Sequence, residues 1–457
     1  MQIAIISEHA SPKCALGGKD AGGQNLYVAQ LAKHLVQFGH TVEVFTRRDS
    51  DELPIEQDLE EGFKLINVPA GPANYIEKEK LLPYMDEFSS FMISYIKSRS
   101  ESFDVIHTNF WMSGLVGANL KKHLHIPFVI TFHALGKVRR IHQGKNDGFS
   151  DERFDIEDLL VREADGIIAE CPQDLSDLIE LYDAHHKNVD IVPCGFDAEE
   201  MYPINKREAK KALGLEESEE VILHLGRMVP RKGADNVIRG FAQYLRENNK
   251  KAKLVIVGGE TEDACPIRTP EIGRLKAIAD QEGVSPYISF AGSKSRQKLK
   301  TYYSAADVFV TTPWYEPFGI TPVESMACGT PVIGSNVGGI KYTVKHEKTG
   351  LLVPPNDPVA LKEALSRIMQ DEKLRKNFGM ESLNRVNQHF RWEHMARKIE
   401  EILISKVTDL SFKNRYSFQY NREVLNANSE SSFRKSGPHH WWCEWSGGRD
   451  LSNPGQS

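Results

Sequence analysis

Cysteine is sparse in this 457-residue sequence, and what there is lies scattered: Cys14, Cys171, Cys194, Cys265, Cys328 and Cys443. No two of them form a Cys-x-x-Cys pair, and outside the last few residues none joins a histidine at zinc-ligand spacing, which argues against a disulfide scaffold and a zinc fold. Reduced thiols suit a cytosolic compartment, so a cytoplasmic location is expected. An excess of either charge is also missing. Lys+Arg 57 against Asp+Glu 63 gives a net charge of −6, too balanced for the basic stripe that non-specific nucleic-acid binding needs. No apolar run approaches the roughly 18 residues of a membrane span. The opening MQIAIISEHA has no basic residues before its apolar stretch and no small-residue cleavage site, so it reads as a first strand and not as a signal peptide. No repeat with a period of roughly 20–50 residues is visible, which disfavours a solenoid.

What is present is an ordinary globular composition, 40% hydrophobic and 26% charged, long enough for two or three domains of about 150 residues. Short β-rich runs alternate with helical patterns, which predicts an α/β protein with parallel sheets. In the first half these runs are IAII, VEVF, FKLINV, FDVIH, PFVITF, GIIA and VDIVP; a break follows at CGFDAEEMYPINKREAKKALGL, and a second series comprises EVILHLG, KLVIVGG, YISFAG, DVFVTT, PVIGS and GLLVP. The boundary is placed near 195–205. Two Rossmann-like domains, 1–200 and 201–390, are thus expected to turn the carboxyl ends of their strands toward a central cleft. From about 408 to 457 the rhythm is lost, and a disordered tail is expected. It crowds Trp441, Trp442 and Trp445 beside His439, His440 and Cys443, a poor ligand set for a tetrahedral metal.

Three motifs carry chemistry. A glycine-rich loop, Gly17-Gly18-Lys19-Asp20-Ala21-Gly22-Gly23-Gln24-Asn25, precedes an amphipathic helix pattern of Val28, Leu31, Ala32 and Leu35. Glycines at a helix start let backbone N–H groups approach an anion, although the same residues also suit a plain loop. Gly226-Arg227-Met228-Val229-Pro230-Arg231-Lys232-Gly233 follows the first strand of the second series. There Arg227 and Lys232 can neutralise a diphosphate, or simply form a solvated basic turn. Finally, Glu316-Pro317-Phe318-Gly319-Ile320-Thr321-Pro322-Val323-Glu324 follows DVFVTT. Thr321, Pro322 and Glu324 suit the cap, first and third positions of a helix, whereas Glu316 lies free in the loop before it.

Glu316 and Glu324 within EPFGITPVESMACGTPVI resemble the E-x7-E signature of the retaining family-4 glycosyltransferases of GT-B fold. With GGKDAGGQN and GRMVPRKG in the same order, the similarity covers roughly residues 1–405. The amino-terminal pattern is most similar to the branch of sucrose-phosphate synthases and mycothiol-pathway glycosyltransferases, and IEKEKLLPYMDEF to the former.

The resemblance implies a hexosyl transfer from a nucleoside-diphosphate sugar, a UDP-sugar being favoured, to a small phosphorylated sugar or polyol, with no metal and no cofactor. Gly22 and Gly23 would meet the donor diphosphate, and Arg227 and Lys232 would clamp it. Glu324 would accept hydrogen bonds from the ribose. Glu316, with the amides of Phe318, Gly319 and Ile320, would hold the hexose, and His133 would lie near its primary hydroxyl. Asn25, Lys78 and Arg153 would serve the acceptor and its phosphate. Phe110 and Ala134 stand where mycothiol-type enzymes carry hydroxyls, which counts against an inositol phosphate; Lys137, Arg139, Arg140 and Lys145 could compensate, or form a solvated loop. Helix 391–407 would cross back to the first domain. A catalytically silent nucleotide-sugar-binding subunit and a GT-B epimerase or phosphorylase remain alternatives, and the oligomeric state is not readable.

Overall fold

Parallel strands pair their backbone groups with neighbouring strands while crossover helices cover both faces of the sheet, and the apolar runs of this chain pair accordingly. The computed structural model describes residues 1–13, 22–248 and 252–410. The first sheet contains β1 (Gln2–Ile6), β2 (Thr41–Arg47), β3 (Glu56–Asp58), β4 (Lys64–Val68), β5 (Val105–Asn109), β6 (Phe128–Thr131), β7 (Gly166–Ala169) and β8 (Val189–Ile191), in the order β3-β4-β2-β1-β5-β6-β7-β8. The second contains β9 (Glu220–Leu225), β10 (Ala252–Val257), β11 (Ile288–Gly292), β12 (Val308–Thr311), β13 (Val332–Ser335) and β14 (Gly350–Val353), in the order β11-β10-β9-β12-β13-β14. All pairs are parallel except β3 with β4. That edge strand, EQD, is short and polar and carries no apolar signal in the sequence.

Each order reverses once. In the first sheet the chain winds outward from β1 in one direction and from β5 in the other; in the second the reversal lies between β9 and β12. At such points the loops leaving adjacent strands diverge and open a crevice at the carboxyl ends. Leu225 is followed there by GRMVPRKG, and Thr311 by TPWYEPFG.

Met1–Val407 forms one compact unit. The residues between β8 and the helix Lys206–Ala212 cross from one sheet to the other, and the chain returns close beside them. The amide of Phe196 donates to Phe390 (2.8 Å), and the amide of Trp392 to Phe196 (3.3 Å). A side chain at Gly195 would collide with the backbone of Trp392. The helix that begins at Trp392 then packs on the first domain: Trp392 meets the Tyr27 ring edge-on at 6.3 Å, Glu400 pairs with His40 at 2.8 Å, and Met395, Ala396, Ile399 and Leu403 join its core. The tail from 411 onward, with its Trp, His and Cys cluster, lies outside the described residues, as do Cys14 and residues 17–21 of the glycine-rich loop. No helix among the described residues is long and apolar enough to cross a membrane.

Trp392 is 1% exposed, and truncating a buried aromatic of this size typically costs about 3–5 kcal/mol. Trp392→Ala is therefore expected to lower the denaturant midpoint by an equivalent amount. A loss below about 1 kcal/mol would show that the returning helix contributes little to the core.

Candidate active site

The two reversals face each other across a cavity of about 290 Å³. Gly22, Gly23, Asn25, Lys78, His133, Arg227, Lys232, Glu316, Phe318, Gly319, Ile320 and Glu324 all line it; Arg153 does not. The approach is close. A Cβ at Gly23 would stand 3.1 Å from Ile320 Cδ1, and the side chain of Arg227 packs against Gly22. Only glycine at 23 lets the helix Gly23–Gln37 reach the second domain without displacing Ile320.

A short 3-10 turn, Pro230–Lys232, follows β9 and delivers Lys232 to Glu316, with which it forms an ion pair. Burial pulls the Lys232 ammonium down to about 8; Arg231 and Arg227 push the same way, and Glu316 opposes them. Burial alone would raise the Glu316 carboxyl, but Lys232, Arg231 and Arg227 together hold it below its ordinary value. Three cations thus surround one carboxylate. The local excess of positive charge suits a diphosphate. Arg231 is held by the ring of Tyr315, 5.1 Å from its guanidinium carbon, and its Nη1 is buried without a partner.

The helix after Glu316 begins earlier than its sequence suggests. It spans Ile320–Ala327 with Gly319 as N-cap at φ 92°, so Thr321 is not the cap and Glu324 is not in a capping box. Glu324 sits two residues further in, at the fifth helical position, where Arg296 Nη1 donates to Oε1 at 2.7 Å and Tyr303 Oη to Oε2 at 3.0 Å. Arg296 also pairs with Glu200 of the inter-domain crossing. Each Glu324 oxygen keeps a lone pair for a further donor.

On the first domain, His133 stands two residues past the end of β6 with φ 58°. Such strain in a non-glycine residue persists only where surrounding contacts enforce it. Its Nδ1 meets Glu170 Oε1 and its Nε2 meets Asn109 Oδ1, both at 3.0 Å, while Tyr27 packs edge-on at 4.7 Å. Glu170 and Asn109 were not singled out in the sequence, although each stands at the carboxyl end of a strand. Asn25 lines the cavity but uses its side chain locally, accepting from the Gly22 amide and donating to Ser11, both at 2.9 Å. The Gly22 N–H is therefore already engaged.

Arg153 corrects its expected role as a phosphate ligand. It is fully buried, pairs with Glu157 at 2.7 Å, donates to the Ala134 carbonyl, and lies under the rings of Phe110 and Phe149 at 5.0 and 4.7 Å. It braces the wall of the cavity. The stretch expected as a solvated loop is instead the helix Gly136–Gln143. Lys137 turns to Asp158 and Arg140 to Asp151, whereas Arg139 lines the cavity beside Lys78, held by Asp147 at 2.6 Å. No group of three or more potential metal-ligating side chains is found among the described residues. The sequence's one Asp-x-Asp, Asp49-Ser50-Asp51, falls in the turn after β2 and lines neither face of the cavity.

Comparison with known proteins accords with this geometry. Residues 205–385 match the family described as glycosyl transferases group 1, and residues 21–200 match glycosyltransferase family 4. A D-inositol 3-phosphate glycosyltransferase of Corynebacterium diphtheriae is 30% identical over 407 residues, 88% of this chain and 94% of its own length. The chain belongs to the family-4 glycosyltransferases of GT-B fold. The corresponding enzyme of Acidothermus cellulolyticus is 33% identical over 403 residues, covering 87% of this chain and 89% of its own. Among solved structures, sucrose-phosphate synthase from Thermosynechococcus elongatus superimposes with a TM-score of 0.82 at 33% identity, over 89% of this chain and 99% of that one. In this glycosyltransferase the reversal in each sheet therefore supplies one wall of a GT-B cleft.

The lowered Lys232 generates a pH dependence. A bound diphosphate favours the ammonium, so binding takes up a proton once pH exceeds the free group's value of about 8, and affinity falls as pH rises through that point. Calorimetric titration with UDP is expected to show this inflection in the wild type and to lose it in Lys232→Met; an identical profile in both would exclude Lys232 as a diphosphate ligand.

Proposed function

We propose that this glycosyltransferase is a retaining, metal-independent hexosyltransferase that uses a nucleoside-diphosphate sugar, with UDP-sugars favoured, and glycosylates a small phosphorylated sugar or polyol. The observation that carries the proposal is the Lys232–Glu316 pair between Arg227 and Arg231 at the reversal of the second sheet. Breaking the anomeric C–O bond leaves negative charge on the departing diphosphate and positive charge on the sugar. Preorganised cations lower that barrier because they meet a charge that grows in the transition state. Glu316 then takes the hexose hydroxyls together with the amides at the start of Ile320–Ala327, and Glu324, held by Arg296 and Tyr303, takes the ribose.

The acceptor hydroxyl attacks the same face that the diphosphate leaves. Its proton passes to the departing phosphate oxygen as the new C–O bond forms, which retains configuration without a protein nucleophile. His133 stands at the sugar side of the cavity. Lys78 and Arg139 give the first-domain wall two cations for an anionic acceptor, in keeping with the phosphorylated substrates named for the relatives. Phe110 and Ala134 line the same wall without a hydroxyl, which favours a hexose phosphate over an inositol phosphate.

Purified protein supplied with UDP-, ADP- or GDP-hexoses, each with fructose 6-phosphate, inositol phosphate or no acceptor, should release nucleoside diphosphate only when an acceptor is present, and should do so in chelator. Release that required added metal, or that ignored the acceptor, would contradict the proposal. Glu316→Gln should lower kcat by about 100-fold or more while changing nucleotide affinity by only a few-fold, the pattern of an interaction made in the transition state; equal losses in both would make Glu316 a binding residue only.

A further inference from the structure

We infer that Tyr315 is a positioning residue of the proposed transfer, closing the cleft against the first domain while holding Arg231 toward the departing diphosphate. The inference rests on the transferase reading above. Tyr315 precedes Glu316 and is 7% exposed, and its ring and its hydroxyl are engaged by different parts of the molecule. One partner is the guanidinium of Arg231, from the second domain. The others come from the first domain: the His142 ring stacks on Tyr315 at 5.0 Å with 16° between planes, and Gln143 Nε2 donates to Tyr315 Oη at 2.6 Å.

His142 and Gln143 form the last turn of the helix Gly136–Gln143, which also carries Arg139 into the cavity. One ring therefore links the cation that faces the donor phosphates to the helix that presents a cation to the acceptor side. The amide of Trp314 donates to the Arg231 carbonyl at 2.9 Å, which ties the loop to the 3-10 turn. The Arg231 guanidinium keeps its buried Nη1 unpartnered, and the ring face holds it there by a cation–π contact. Two contacts flank the ring across the cleft: Cys171 Sγ donates to the Pro317 carbonyl at 3.2 Å, and Lys341 Nζ to Gln173 Oε1 at 2.6 Å. Neither touches a diphosphate cation directly. They stand nearer the crossing, where Phe318 and Tyr342 pack on Phe390 at 5.9 and 5.7 Å, so Tyr315 adds its own contact between the domains beside theirs.

With Tyr315 in place, water is kept from the departing sugar and donor and acceptor approach each other. Tyr315→Leu removes stacking and hydrogen bond; Tyr315→Phe and Gln143→Ala each remove the hydrogen bond alone. Two readouts are needed. Small-angle scattering of the ligand-free protein should show a larger radius of gyration for Tyr315→Leu than for wild type. In kinetics, Tyr315→Leu should lower kcat by about tenfold or more, change donor KM by less than about threefold, and raise the share of donor hydrolysed without transfer. Tyr315→Phe and Gln143→Ala should each lose only a few-fold in kcat, and the double variant should lose no more than either, because both delete one bond.

Wild-type radius in Tyr315→Leu, or an unchanged partition between hydrolysis and transfer in an active enzyme, would overturn the inference, as would multiplying losses in the double variant. A wild type that releases no nucleoside diphosphate from any donor, together with an expanded Tyr315→Leu, would instead overturn the transferase reading and leave Tyr315 as the contact that holds the domains closed.

Discussion

The ion pair between Lys232 and Glu316 is the constraint on which the rest of the site depends. Both groups are largely withdrawn from solvent, at 18% and 14% side-chain exposure, and removing charges from water is costly unless partners restore the lost interactions. The second sheet supplies that restoration. β9 and β12 are neighbours, so the loops that leave them start side by side. Thr312 Oγ1 donates to the Gly233 carbonyl at 3.0 Å, and a side chain at 233 would run into the Thr312 carbonyl. The two loops are thereby fixed at the separation the pair requires. A ligand that brings negative phosphates to Lys232 and hydroxyls to Glu316 replaces one set of interactions for each group with another, and little reorganisation is left for the moment of reaction.

The first domain answers that arrangement with a wall built on different physics. Arg153 and Glu157 are buried together under aromatic rings, with Tyr182 bonded to Glu157. These residues do not reach the cavity; they set the position of the Ala134 carbonyl and the start of the Gly136–Gln143 helix, whose amide at Gly136 donates to Glu157 at 2.9 Å. His133 and Phe110, both at positive φ, follow the ends of adjacent strands against this base. Residues that line this wall are thus supported from behind by groups that do not reach the cavity.

Much of the fold was legible because strands buried on both faces read as short apolar runs, such as KLINV and EVILHL, bounded by turn residues. The polar edge strand EQD gave no such sign. The residues of the second-domain wall were legible because they cluster within two short segments, GRMVPRKG and EPFGITPVE. Their details were less so. Gly319 adopts a left-handed cap, which starts the helix one residue before a Thr-Pro pair that would otherwise mark its beginning. Arg153 followed by Glu157 is an i, i+4 pair on one helix face, and that spacing was a signal that the arginine would be occupied. Arg139 differs from Lys137 and Arg140 only in the direction in which the helix turns it, which no composition reveals. Glu170, Asn109, Arg296 and Tyr315 become visible as functional neighbours only when strands distant in sequence are brought together.

The most direct test of this account is a double-mutant cycle on the central pair, with Lys232→Met, Glu316→Gln and the combined variant compared in kcat/KM for the donor. If the two groups act as one preorganised unit, the double variant should lose little more than the worse single variant, since either change dismantles the arrangement. Losses that multiply across the cycle would show two independent residues that share a cavity, and the account would be wrong.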